Sequence, residues 1–397
     1  MDLGILALIC AAALLGPALS LLSRGALPVV VGQLLAGVVL GRTLLDVVHP
    51  ANPELALLYD IGFATLMFTV GMQVPLHDRR LRSALGVGAR AALVAVALSL
   101  AAGLICHLAA AGPTLVYAVV IASSSAAVAL PIIHEDGLHG PAVLAAMAWI
   151  TLADIVATLA VPLALTPGRA AHAAGGALVV AACIAALLGV MFRVRHLPLV
   201  AHIRHESKQR GWAIDLRLAV IALVGLSYVA LQVGASLLIA GFGVGLAAAA
   251  LGGPKRLSQQ VLGLGQGFFI PVFFVLLGSR LDLRALGHSR DAVVLAVLLA
   301  ALTLAVHLAA ARVIRAPPAI GLLASAQLGV PAAVIALGLP IHAIDQGQAS
   351  AIFCSSLLSI GACAAGAAHL RRRTLDGGGR RHRAKNATAA EQPTPTR

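Results

Sequence analysis

The sequence predicts an all-α polytopic membrane protein with about 13 transmembrane helices. Three observations predict it: the composition, the length of the apolar segments and the placement of the basic residues. Hydrophobic residues make up 60% of the 397 residues, and charged residues make up 11%. A soluble globular domain has about 45–50% apolar and about 25% charged residues. Apolar surface in such excess needs lipid or a very large protein partner around it.

The apolar residues are gathered into segments of the length that a bilayer crossing needs, which is roughly 20 residues for a helix. The longest hydrophilic connection, residues 194–216, lies near the middle of the chain and is either a joint between two structural repeats or a simple spacer. Residues 1–370 are therefore predicted to form one transmembrane domain. Its apolar segments are 2–21, 27–45, 56–74, 85–110, 114–133, 142–165, 175–193, 217–233, 235–251, 264–280, 291–313, 319–341 and 348–370.

The basic residues indicate the orientation of the chain. If the N-terminus faces out and the loops alternate, most of the lysines and arginines fall on the cytoplasmic side, as the positive-inside rule requires. The cytoplasmic side then holds Arg79, Arg80 and Arg82, the basic residues of 193–217 and the C-terminal segment. We expect a multi-pass protein of the bacterial inner membrane with its N-terminus out. Residues 371–397 are basic and lack an apolar period, so they are expected to form a disordered cytoplasmic tail.

The net charge of +13 does not indicate a nucleic-acid partner. Aromatic residues are only 4% of the chain, which leaves little surface for stacking bases. The five cysteines lie inside apolar segments and form no C-x-x-C pair. A metal site or a disulfide framework is therefore not expected.

One acidic side chain lies deep in a predicted segment. Of the 15 acidic residues, Asp60 lies about one turn into its segment, and only Asp154 falls near the middle of a segment, 142–165. An ionisable group at this depth is costly and is a functional candidate by default. His307, in segment 291–313, is the one histidine at similar depth. It is either a functional partner or a structural histidine that bonds a carbonyl.

Two segments show signs of discontinuity. In segment 114–133, Ser123, Ser124 and Ser125 are followed by a proline; in segment 319–341, Ser325, Gln327, Gly329 and Pro331 form a similar weak stretch. Hydroxyl groups beside a break can satisfy the backbone groups that the break frees. Paired interrupted helices in the two halves of a transporter indicate an ion site near the midplane.

Several motifs, in their order and spacing, resemble one transporter family. They are Gly32-Gln-Leu-Leu-Ala-Gly-Val-Val-Leu-Gly41, Leu66-Met-Phe-Thr-Val-Gly-Met72, Ser123-Ser-Ser-Ala-Ala-Val-Ala-Leu130, Leu152-Ala-Asp-Ile-Val156 and Pro271-Val-Phe-Phe-Val-Leu-Leu-Gly278. From about residue 5 to 370 the chain is similar to the monovalent cation:proton antiporters, which include bacterial sodium/proton exchangers and the membrane domain of Kef-type potassium efflux systems.

The resemblance implies a fold of 13 helices built from inverted repeats. Two discontinuous helices would cross in a core bundle that slides against a dimerisation bundle, in a homodimer. The sequence departs from the family at two positions of the site. Ala153 stands where the family usually has Asp, Asn or Gln, and His307 stands where many members have lysine or arginine.

The hypothesis is therefore a secondary transporter that exchanges sodium or potassium for protons through Asp154. Burial disfavours the charged form of a carboxyl, so a proton and a cation can compete for it. Ser124, Ser125, Thr151 and backbone carbonyls would supply further oxygen ligands. His307 would be a second titrating group, and exchange would be one for one.

Alternatives from other classes stay open. The chain could carry another solute on the same fold, act as a channel, or be a transport-inactive sensor or assembly subunit. An enzyme is disfavoured, because no G-x-S-x-G motif, P-loop or metal-ligand cluster is present, and no cofactor is expected. Proton-coupled flux separates an antiporter from the other classes.

Overall fold

The computed structural model describes residues 3–23, 28–49, 52–72, 79–135, 137–194, 197–251, 260, 263–284 and 289–390. Regular structure in these ranges is helical, without a strand. The helices are α1 (Leu3–Ala13), α2 (Leu15–Leu22), α3 (Val29–Leu40), α4 (Pro53–Met72), α5 (Arg79–Ala110), α6 (Thr114–Ala122), α7 (Ala126–Glu135), α8 (Pro141–Leu165), α9 (Ala170–Val194), α10 (Pro198–Gln209), α11 (Ile214–Gln232), α12 (Leu237–Ala250), α13 (Ile270–Arg280), α14 (Arg290–Val313), α15 (Pro318–Ala324), α16 (Gly329–Gly338) and α17 (Gln346–Ala390).

These helices confirm the all-α polytopic class. Within the described ranges, nine helical stretches are long and apolar enough to cross a bilayer, and shorter apolar helices cover 29–40, 114–130, 237–250 and 265–280. Every predicted segment coincides with one of these stretches. The exact number of crossings stays a prediction.

The helices pack into two bundles. In the first, α5 packs against α6, α8 and α14, and α17 packs against α14 and α15. In the second, α4 packs on α12 and α3 packs on α13. The α3–α13 contact is close because glycines face each other: a Cβ built on Gly278 would lie 3.0 Å from the Cα of Gly37. Both glycines belong to the motifs that carry the family resemblance.

Two membrane-depth helices are interrupted, as the sequence predicts. The first break separates α6 from α7 at Ser123–Ser125, where Ser123 is extended with φ −71° and ψ 150°. The second separates α15 from α16 at residues 325–328. Gly329 and Pro331, predicted as part of the weak stretch, lie in the first turn of α16, so the second break is shorter than predicted.

Two further regions differ from the simplest expectation. The hydrophilic connection 194–216 contains a helix, α10, which begins with Pro198 at a position where the missing N–H costs nothing. Helix α17 continues to Ala390, beyond the predicted domain boundary at residue 370, although its apolar span ends at Arg372. The cytoplasmic tail stays a prediction, and residues 391–397 lie outside the described part.

Candidate functional site

Asp154 lies on α8, buried in the first bundle with 4% of its surface exposed. Its Oδ2 atom accepts the backbone N–H of Ala126 at 3.0 Å. Ala126 is the first residue of α7, and the first N–H groups of a helix have no partner inside it. A carboxylate at this end also interacts favourably with the helix dipole. The first break therefore presents a donor to the buried acid.

Two buried hydroxyl groups lie close in the chain to Asp154 and to its partner Ala126. Thr151 precedes Asp154 by one turn on the same face of α8, and Ser125 directly precedes Ala126. Both residues are buried, and neither Ser125 Oγ nor Thr151 Oγ1 has a hydrogen-bond partner among the described residues. An unpartnered buried hydroxyl costs about 1–3 kcal/mol. With the carboxyl they provide hard oxygen atoms, which are the ligands that small cations prefer.

Ser124 has a different role from its neighbour Ser125. Its hydroxyl donates to the carbonyl oxygen of Ala324, the last residue of α15, at 2.6 Å. The last carbonyls of a helix lack partners within it. Ser124 thus satisfies a group freed by the second break, and it holds the two interrupted helices together.

His307 lies beside Ser124 and is fully buried. Its Nδ1 atom is 2.9 Å from the carbonyl oxygen of Thr303, which can only accept, so Nδ1 carries a proton. Its Nε2 atom is 3.4 Å from Ser124 Oγ. The ring stacks on Trp149, with 5.4 Å between centroids and an interplanar angle of 15°. Nδ1 and the ring face are therefore held by named groups, and Nε2 faces a hydroxyl whose hydrogen is donated to Ala324.

Gln327 makes a second bond at the crossing, which is the place where the breaks of the two interrupted helices meet. It lies in the second break, and its Nε2 atom donates to the carbonyl oxygen of Val120 in the last turn of α6, at 2.5 Å. The two breaks are thus bonded reciprocally, because Ser124 bonds the end of α15 and Gln327 bonds the end of α6.

The structure brings the predicted site residues to one crossing, but in two groups. Asp154, Ser125 and Thr151 form the first group, and Ser124 and His307 form the second. In the described part of the chain, Asp154 and His307 share neither a hydrogen bond nor an ion pair. Sequence reasoning missed the Ala126 N–H, the stacking of Trp149 on His307 and the contacts of Thr303; the spacing of Thr303 and His307 by one turn was the available signal.

Comparison with known proteins assigns the chain to a family. The model of the family described as sodium/hydrogen exchanger, transmembrane, matches residues 10–366. A Na(+)/H(+) antiporter of Enterococcus hirae is 27% identical over 310 residues, 76% of this chain and 79% of that protein. The Na(+)/H(+) antiporter NhaS5 of Synechocystis is 29% identical over 271 residues, 65% of this chain and 37% of that protein.

A solved structure matches the fold. The sodium proton antiporter MjNhaP1 from Methanocaldococcus jannaschii superposes with a TM-score of 0.64 over 93% of this chain and 97% of that chain. The sequence identity is 16%, so this match concerns the fold.

Proposed function

Because this chain belongs to the transmembrane sodium/hydrogen exchanger family, we propose that it exchanges a monovalent cation, sodium first, for protons through the carboxyl group of Asp154. The family is one of transporters, and the matched relatives are named as Na(+)/H(+) antiporters. The observation that carries the proposal is a buried carboxyl that accepts the first N–H after a helix break, with two unpartnered buried hydroxyls within one turn of these bonded residues in the chain.

The chemistry follows from the cost of burying charge. An ionised carboxylate away from water needs a compensating charge, which either a proton or a cation can supply. When the carboxyl is deprotonated, Asp154 binds the cation together with Ser125 Oγ, Thr151 Oγ1 and backbone carbonyls. When a proton binds instead, the cation is released. Competition for one carboxyl is sufficient for exchange under one condition. The protonated site and the cation-loaded site must both be able to change the side of the membrane that they face, and the empty charged site must not.

Ala153 favours one-for-one exchange. It carries no ionisable group beside Asp154, so the site holds one proton or one monovalent cation at this position. Movement of the first bundle against the second would expose the site alternately to the two sides. His307 is proposed as a second proton-binding group that acts on the site through Ser124, since its Nε2 atom faces that hydroxyl.

The test is cation-driven proton movement in proteoliposomes that contain a pH-sensitive dye. Sodium, potassium and lithium gradients are imposed in turn, with Asp154→Asn as the matched variant. We expect a proton signal with at least one cation and none in Asp154→Asn, with the variant eluting and melting as a folded protein. Equal exchange in Asp154→Asn would remove Asp154 from the mechanism. No signal from the folded wild type with any cation would favour another solute or a transport-inactive protein.

Orientation and assembly are part of the same proposal. The basic residues support an N-out, C-in arrangement in a bacterial inner membrane. A protease should therefore remove a C-terminal tag in inside-out vesicles and leave it intact in right-side-out vesicles. A homodimer is proposed from the family resemblance, and light scattering of the purified protein should give twice the mass of one chain. The opposite protease result or a monomer mass would overturn these two points.

A further inference from the structure

Gln327 is anchored more firmly than a residue in a break requires. Its backbone N–H donates to Ser359 Oγ at 3.1 Å. Its side-chain nitrogen donates to the carbonyl oxygen of Val120 at 2.5 Å and to Thr303 Oγ1 at 3.2 Å. The residue is 1% exposed. Its partners lie on three other helices, so the side chain is fixed in place and in direction.

These contacts also fix which way the amide faces. A carbonyl oxygen can only accept a hydrogen bond, so the amide nitrogen must be the atom that faces Val120. The nitrogen has two hydrogens, and Val120 and Thr303 account for both. The Oε1 atom therefore cannot exchange places with the nitrogen without facing the carbonyl oxygen of Val120, which has no hydrogen to donate. This oxygen is buried and has no hydrogen-bond partner among the described residues.

An amide oxygen held in this way has the properties of an ion ligand. Its lone pairs are free, it is out of contact with bulk water, and its orientation is set before any ion arrives. Such preorganisation lowers the cost of binding, because the ligand gives up little freedom. Amide oxygens are among the ligands that hard cations use. The bonds to Val120 and Thr303 account for the amide nitrogen, and they leave the Oε1 atom without a structural partner among the described residues.

We infer that Oε1 of Gln327 is a ligand of the transported cation at the crossing of the two breaks, an inference that rests on the proposed cation exchange. The location supports it. Gln327 bonds Val120 at the end of α6, and Ala126 at the start of α7 bonds Asp154. The side chain of Gln327 and the carboxyl of Asp154 therefore bond the two opposite ends of the first break.

The inferred ligand affects the cation and the proton differently. A cation gains from every oxygen around it, whereas a proton on Asp154 needs one carboxylate oxygen. A neutral amide is too weak a base to hold the proton itself. Gln327 therefore shifts the competition towards the cation, which makes it a specificity-determining residue. Its loss should weaken cation binding and leave protonation of Asp154 in place.

The experiment compares Gln327→Met, which keeps the length of the side chain and removes both polar atoms, with Thr303→Val. Thr303→Val removes one acceptor of the anchored nitrogen and leaves the Oε1 oxygen, so it is the control for anchoring. In proteoliposomes we expect Gln327→Met to raise the apparent KM for sodium about tenfold, which corresponds to the loss of one good ligand contact. The maximal rate should change much less. Thr303→Val, which removes one of the two anchors and leaves the Oε1 atom, should raise the KM much less than Gln327→Met does.

A binding measurement separates this inference from the proposed function. Sodium should raise the melting temperature of the wild type and of Thr303→Val in detergent, because a ligand that binds the folded state stabilises it. It should raise that of Gln327→Met much less. An unchanged sodium KM and unchanged sodium stabilisation in Gln327→Met would overturn the inference while exchange by the wild type still stood. If the wild type moves no protons, the proposed function fails, and the stabilisation data still decide whether Gln327 binds sodium.

A second variant guards against misfolding. Should Gln327→Met fail to fold, Gln327→Glu places a carboxyl of the same length at the position. If the amide is an ion ligand, its replacement by a carboxyl group should change the apparent sodium KM and the ratio of sodium to potassium transport. Wild-type values for both in Gln327→Glu would overturn the inference equally.

Discussion

Ser124 and Ala324 are 200 residues apart in the chain, yet the hydroxyl of Ser124 donates a hydrogen bond of 2.6 Å to the carbonyl oxygen of Ala324. The bond joins the break of one discontinuous helix to the end of a half-helix in the other. Gln327 makes the reciprocal bond to Val120. Each break therefore supplies a side-chain donor to a carbonyl group at a half-helix end of the other interrupted helix, and these two bonds join the interrupted helices at membrane depth.

Replacement of Ser124 by alanine should consequently affect stability differently from replacement of its neighbour Ser125. Ser124→Ala leaves the Ala324 carbonyl without this donor, and we expect it to lower the free energy of unfolding by about 1–3 kcal/mol. Ser125→Ala removes a hydroxyl that has no partner among the described residues, so it should not lower stability. Thermal unfolding in detergent measures both. An equal decrease of the free energy of unfolding in the two variants would contradict the conclusion that only Ser124 holds the two helices together.

The sequence predicted much of this arrangement and missed the rest for a physical reason. Composition and segment length predict spans, because a bilayer imposes them locally. A lone aspartate in an apolar segment is also a local signal, so Asp154 could be identified. The partners of Ser124 and Gln327 come from distant parts of the chain, and no local pattern specifies them. The role of Gln327 could not be separated from that of Gly329 or Pro331 until the fold placed its amide.

His307 should influence how exchange depends on pH. Among side chains, histidine is the one that ordinarily changes charge near neutral pH, and the Nε2 atom of His307 faces Ser124. His307→Gln keeps a donor for the Thr303 carbonyl and removes the titrating ring. We expect exchange to persist with a flatter pH dependence, measured as the initial dye response over a series of pH values. His202→Gln is the matched control, because His202 is exposed on α10. An unchanged pH profile in His307→Gln would show that the ring has only a structural role.

The contact between α14 and α15 should be intolerant of a side chain. A Cβ atom built on Gly321 would lie 2.7 Å from the carbonyl oxygen of His307, which is too close for the backbones to remain in place. Gly321→Val should therefore separate α15 from α14, lower the melting temperature and reduce exchange by disturbing the crossing. Gly361→Val is the control, since a Cβ there has nothing within 4 Å. Wild-type stability and exchange in Gly321→Val would mean that the two helices are not held at this distance.

Thr151 offers a case in which function and stability should move in opposite directions. Its Oγ1 atom is buried, one turn before Asp154 on α8, and has no hydrogen-bond partner among the described residues. Thr151→Val replaces that hydroxyl by a methyl group of similar shape. Because an unpartnered buried hydroxyl costs about 1–3 kcal/mol, the variant should melt at the same temperature as the wild type or higher. Its apparent KM for sodium should rise about tenfold, since one ligand oxygen is lost.

Thr158→Val makes the same change one turn beyond Asp154, at a buried position outside the proposed ligand set, and it should keep the wild-type KM. A destabilised Thr151→Val with an unchanged sodium KM would mean that the hydroxyl serves the fold. A stable variant with weakened sodium binding would mean that the protein keeps an unfavourable buried group because the cation needs it.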